Sequence, residues 1–92
     1  MQLKKREIRS IFSKLKMRIE PTHHKIAYFE YEGIEYLKTR VSHGEGEIPK
    51  PVVERIRKQL FLNNAQFQEL VKCPMGYDEF VAALKKKGVI PG

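Results

Sequence analysis

Between Leu15 and Ser42 the chain reverses direction twice with almost no residues to spare, and this limits its fold more than any other feature. Leu15, Met17 and Ile19 alternate with Lys16, Arg18 and Glu20, the period of a half-buried strand with a cationic outer face. Pro21 closes that segment. His23 to Tyr31 is a second strand, rich in aromatic residues, and Glu32-Gly33 has the composition of a tight hairpin turn. Ile34 to Ser42 is a third strand, with Leu37 and Val41 on one face and Lys38 and Arg40 on the other. A parallel pair needs a crossover of about a dozen residues, for which neither connection has room, so the strands form an antiparallel meander. Both faces of the second strand carry apolar groups, so alternation alone leaves open which face is buried.

Helical periods flank this meander. Ile8, Ile11, Phe12 and Leu15 recur at i, i+3, i+4 and i+7, which predicts an amphipathic helix over residues 3–13 with Lys4, Lys5, Arg6 and Arg9 mostly off its apolar stripe. After a loop from His43 to Glu47, Pro49 and Pro51 open a helix over residues 51–61 that buries Val52, Val53, Ile56 and Leu60. Glu54 and Lys58 form an outward i,i+4 pair on it. Asn63-Asn64 ends this helix and caps the next, whose stripe is Phe67, Leu70 and Val71. Cys73-Pro74-Met75-Gly76 breaks the chain again. The last helix carries Tyr77, Phe80, Val81 and Leu84, has acids in its first turn and lysines in its last, and stops at Gly88 and Pro91. The expected fold is α+β: an α-β-β-β-α core over residues 1–62 with its helices on one face of the sheet, and a helical extension over residues 63–92 packed on the same domain.

A chain of 92 residues suits one domain with one modest core. The single cysteine, Cys73, forms no internal disulfide and reads as structural. No apolar run approaches the length of a membrane span, and the charged start of the chain has no apolar region behind it, so neither a span nor a signal peptide is expected and the location expected is the cytoplasm. The net charge is +7, carried by the two ends: residues 1–20 hold +5, residues 21–50 hold −1 and residues 51–92 hold +3. A surface of that kind attracts phosphates through counterion release. The Lys85–Lys87 run is explained by the helix dipole alone.

The one stretch that points to chemistry is Met17 to His24, a cationic segment that runs through Glu20-Pro21 into adjacent histidines. Neighbouring side chains on a strand point to opposite faces, so one of His23 and His24 faces the core and the other the open side. An exposed histidine beside bound polyanion can donate or accept a proton. The plainer alternative is that both are polar residues at a turn. Divergence of adjacent strand residues also argues against a metal pair, and no ligand spacing elsewhere implies a metal or a cofactor.

Two stretches resemble the HicA family of toxin–antitoxin mRNA interferases. Arg18-Ile19-Glu20-Pro21-Thr22-His23-His24-Lys25-Ile26 is similar to the family's strand, Gly-Ser turn, histidine (often two) and apolar residue three positions after the first histidine. Val41-Ser42-His43, then Glu47-Ile48-Pro49-Lys50, then Ile56, Lys58, Gln59 and Leu60 are similar to the family's Val-Pro-His, Glu-Leu-Pro-Lys and helix ending in Ile-x-Lys-Gln. Pro21 and Thr22 stand where the family has glycine and serine, the first helix–strand connection is shorter, and the chain runs about thirty residues past the family's usual end. The resemblance implies a fold like the double-stranded-RNA-binding domain, metal-independent RNA cleavage by one histidine, and a cognate antitoxin protein as partner. It places the catalytic position at His23, with His24 as the alternative. If Ile26 is in the core, as its family counterpart is, His24 and Tyr28 share its side while His23 and Lys25 face the open surface. Lys16, Arg18, Lys38 and Arg40 then join Lys25 as RNA-binding cations, with His43 as a further RNA contact or a turn cap. Phe29 and Tyr31 on that face are either base-stacking platforms or a sign that the two faces are reversed. The competing functions are a non-catalytic RNA-binding module on the same fold and a protein-interaction domain that uses the C-terminal helices.

Overall fold

The structure, a computed structural model, describes residues 3–22, 24–42, 46–72 and 75–91. The first helix, α1 (Lys5–Lys14), buries Ile8, Ile11 and Phe12, and its N-terminus is satisfied by the Glu7 carboxylate, which accepts from the Lys4 N–H at 2.9 Å. It ends in a C-terminal lock: the Lys16 N–H donates to the Ser13 carbonyl and the Met17 N–H to that of Phe12, each at 3.0 Å. This lock needs a left-handed residue after the cap, and Lys16 supplies it at φ 56°. Leu15 and Lys16 therefore finish the helix rather than start the strand expected from their alternation, and β2 spans Arg18–Pro21.

β3 (Lys25–Tyr31) and β4 (Ile34–Val41) complete a three-stranded antiparallel sheet of order β2-β3-β4. The Glu32-Gly33 turn between them has φ values of 51° and 81°, so both central residues are left-handed, as a two-residue hairpin of matching twist requires. From this turn Tyr31 pairs with Ile34 and Glu30 with Glu35, but Phe29 then pairs with Leu37, not Tyr36. Tyr36 is the extra residue of a β-bulge. A regular hairpin would have set Tyr28 opposite Leu37; the bulge sets Phe29 there and exchanges the two faces of β3 relative to β4.

That exchange decides the core. Ala27 and Phe29 of β3 and Leu37, Thr39 and Val41 of β4 are buried, whereas Lys38 and Arg40 are exposed and Ile26 and Tyr28 are only half-buried. The expectation that Ile26, His24 and Tyr28 share the core side is corrected: Phe29 is buried against Phe80 edge-to-face at a centroid distance of 5.1 Å and against Tyr77 at 6.1 Å. Neither Phe29 nor Tyr31 is a stacking platform on the open side, since Tyr31 packs on the core with the Lys85 ammonium over its ring.

α2 (Lys50–Gln59), α3 (Asn64–Val71) and α4 (Tyr77–Lys86) complete the α+β fold. All four helices lie on the face of the sheet that carries Phe29 and Thr39. Gln59 of α2 accepts from the Thr39 hydroxyl at 2.5 Å, Phe80 of α4 meets Phe29, and the α1 residue Lys14 donates to the Leu70 carbonyl of α3 at 2.7 Å. Phe67, Leu70, Met75, Phe80, Val81, Leu84 and Ile90 belong to the same core cluster as Ile8, Phe12 and Phe29. Asn63 caps α3 as expected, accepting from the Gln66 N–H at 2.8 Å while Gln66 accepts in return from the Asn63 N–H. On α2 the pair that forms is Glu54–Arg57, at 2.7 and 2.9 Å, in place of the expected Glu54–Lys58. β1 (Leu3–Lys4) pairs antiparallel with β5 (Glu47–Ile48), a two-residue ribbon too short for any periodic signal. Among the described residues no helix is long and apolar enough to cross a membrane.

Candidate nucleic-acid interface

With every helix on one side, the other side of the sheet is open. Cross-strand partners share a face, so Arg18–Tyr28–Lys38 and Glu20–Ile26–Arg40 form two rows across it. The face therefore has two half-buried apolar groups at its centre, Ile26 and Tyr28, and charges on both flanking strands.

The charges on the two flanks differ. On β2 the Arg18 guanidinium lies 4.4 Å from the Tyr28 ring centroid, and it is paired with Glu20 at 2.5 Å and Glu30 at 3.4 Å. The Glu20 hydrogen bond raises the Arg18 pKa further above its ordinary value, opposed in part by burial, with Glu30 adding to the rise. Arg18 is thus on the open face as expected, but its charge is already answered by two carboxylates. On β4, Lys38 and Arg40 are exposed, and among the described residues neither side chain has a hydrogen bond or an ion pair.

β4 is an edge strand, and α2 covers its margin. Arg55 of α2 donates through Nη2 to the Arg40 carbonyl at 2.8 Å, which occupies an edge acceptor that would otherwise be open. A pocket at this margin is lined by Ile26, Lys38, Thr39, Arg40, Arg55 and Gln59. Burial pushes the Arg55 guanidinium pKa down from its ordinary value, and the Arg40 charge pushes it the same way. Arg55 was missed in the sequence. Its signal there is weak but real: Arg55 and Gln59 are an i,i+4 pair flanking the buried Val53–Ile56–Leu60 stripe.

The remaining candidates divide. Lys16 does not reach the open face; its ammonium lies 4.7 Å from the Tyr77 ring centroid, on the helical side. Lys25 is also corrected: it shares the register of Ala27 and Phe29 and lines a groove beside α1 with Arg9, Phe12, Ser13, Met17 and Ile19. Ile19 takes the same face at the β2 edge, where cover runs out and leaves it 40% exposed. His24 is exposed, stands immediately before β3, and its carbonyl accepts from the Thr22 N–H at 3.0 Å. By sequence parity it falls with Ile26 and Tyr28, the open-face residues of β3. His23, His43 and Cys73 lie outside the described residues. Among the described residues no group of three or more His, Cys, Asp or Glu can hold a metal ion. No protein-family model, curated protein or solved structure matches the chain.

Proposed function

We propose that this chain is an RNA-binding protein of the HicA toxin type, an mRNA endoribonuclease that needs no metal and uses one histidine, His23 or His24, which in sequence stand between β2 and β3. The observation that carries the reading is the open sheet face. Lys38 and Arg40 stand there without carboxylate partners, beside Tyr28 and Ile26, while every helix is on the opposite side. Single-stranded RNA is held by that combination: cations for the backbone and apolar or aromatic surface for splayed bases. The chain order, one helix, three antiparallel strands and a helix, is the order the resemblance implies.

The chemistry follows from 2′-hydroxyl attack on the adjacent phosphorus. The histidine takes the 2′-hydroxyl proton, the P–O5′ bond breaks as the 2′,3′-cyclic phosphate forms, and the proton passes to the departing 5′-oxygen. Cations offset the charge that builds on the phosphorane oxygens. Arg40 is opposite Ile26, two positions from His24, which at strand rise is about 7 Å along the sheet. An antitoxin that covers this face, in the cytoplasm where mRNA is found, would block binding and cleavage together.

The test is cleavage of a mixed RNA in chelator by wild type, His23→Ala and His24→Ala. One substitution should lower the rate by about 10²–10⁴-fold, the usual size of a general acid–base contribution, with RNA affinity little changed. RNA bound but not cleaved by wild type would leave the non-catalytic module. No RNA binding would refute the reading.

A further inference from the structure

The margin of β4 holds an arrangement that the sheet face alone does not explain. The Arg55 Nε is buried and has no hydrogen-bond partner among the described residues. A buried donor without an acceptor costs about 1–3 kcal/mol, and more when charged, so native structures seldom keep one without a use. Arg55 cannot turn away to water freely, because its Nη2 is engaged by the Arg40 carbonyl. Around it the charged side chains of the pocket are all cationic. Lys38 and Arg40 have no partners among the described residues, and no carboxylate lines the pocket there. Gln59 Oε1 already accepts from Thr39, and its amide nitrogen is a further donor at the site.

We propose that the pocket between β4 and α2 binds a phosphate monoester, supplied by the 5′ end of an RNA strand. Three cations in one small site leave two uncompensated beside a singly charged diester. A monoester carries close to two charges and three acceptor oxygens, enough to meet the planar fork of Arg40 and, once a small shift of the Arg55 side chain opens it to the pocket, the Arg55 Nε as well. The proposal rests on the RNA reading for the source of the monoester, but not for the site itself. On that reading, cleavage gives each downstream fragment a 5′-hydroxyl, so such fragments lose this contact and the intact 5′ end keeps it.

The experiment has two arms, each with wild type, Arg40→Gln and Arg55→Lys. Arg40→Gln alters an exposed side chain and spares the fold; Arg55→Lys keeps the charge and removes the Nε donor. In the first arm, thermal unfolding is followed with inorganic phosphate against chloride at equal ionic strength. In the second, one RNA oligonucleotide is compared with a 5′-phosphate and with a 5′-hydroxyl. Wild type should unfold at higher temperature in phosphate and prefer the 5′-phosphorylated RNA by about tenfold, the effect of one charge-assisted contact. Both substitutions should bring that preference close to one. Stabilisation by phosphate that both substitutions abolish, in a protein that binds neither RNA, would uphold the site and refute the RNA reading. Equal binding of the two RNAs overturns the proposal, as does a preference that survives both substitutions. Absence of both RNA binding and phosphate-specific stabilisation overturns it as well.

Discussion

The bulge at Tyr36 makes a claim about stability that two substitutions on adjacent residues can decide. Phe29 is fully buried, with its ring edge-to-face on Phe80 and tilted on Tyr77. Truncating such a side chain to alanine costs about 3–5 kcal/mol in lost transfer energy and cavity, and the aromatic contacts place it toward the upper end. A domain of this length has a total stability of roughly 5–14 kcal/mol, so Phe29→Ala should lose a large part of it and lower the melting temperature by about 12 °C or more. Tyr28, one residue away, is half-buried on the open face beneath Arg18. Tyr28→Ala forfeits an exposed cation–π contact and part of a ring's burial, about 1 kcal/mol. Urea unfolding followed by circular dichroism measures both, compared at constant m-value. If Tyr28→Ala costs as much as Phe29→Ala or more, the faces are assigned the wrong way round and the bulge argument fails.

Other outcomes follow from the same structure. Gly88 ends α4 at φ 77°, with nothing near the position of an added Cβ, so Gly88→Ala should destabilise by about 1 kcal/mol through backbone conformation alone, read from the urea midpoint. Replacing Lys38 and Arg40 together by glutamine should weaken RNA binding and reduce the salt slope by about 1.5, whereas Arg18→Gln should change the slope little because Glu20 and Glu30 already answer its charge. The Arg57 hydrogen bond holds the Glu54 pKa below its ordinary value of 4.5. A depressed carboxylate stabilises above its unfolded value and loses that contribution as pH falls through its folded value. The stability difference between wild type and Glu54→Gln should therefore be present at neutral pH and vanish in acid; a difference that grows on acidification would contradict it.

Much of the fold was legible because its periods are clean. The α1 stripe, the Glu32-Gly33 turn, the Asn63 cap and the Phe80–Leu84 stripe each depend on residues close in sequence. So does the alternation of β4, which places Leu37 and Val41 inside and Lys38 and Arg40 outside. The faces of β3 were not legible, because Ile26 and Tyr28 compete with Ala27 and Phe29, and the choice rests on an extra residue in the neighbouring strand. No local pattern marks Tyr36 as the bulge. Leu15 and Lys16 continued the strand alternation although a helix-terminal lock claims them. At the site, the β4 cations were readable from alternation. Arg55 reaches them only through the packing of α2 against the sheet edge.

The central claim is that the open sheet face holds RNA. An amide chemical-shift titration with a single-stranded RNA oligonucleotide tests it directly. The account predicts shifts that concentrate at Ile26, Tyr28, Lys38 and Arg40 and reach Arg55, with the outward faces of α3 and α4 unmoved. Shifts confined to those two helices, with the sheet residues unchanged at saturation, would contradict it.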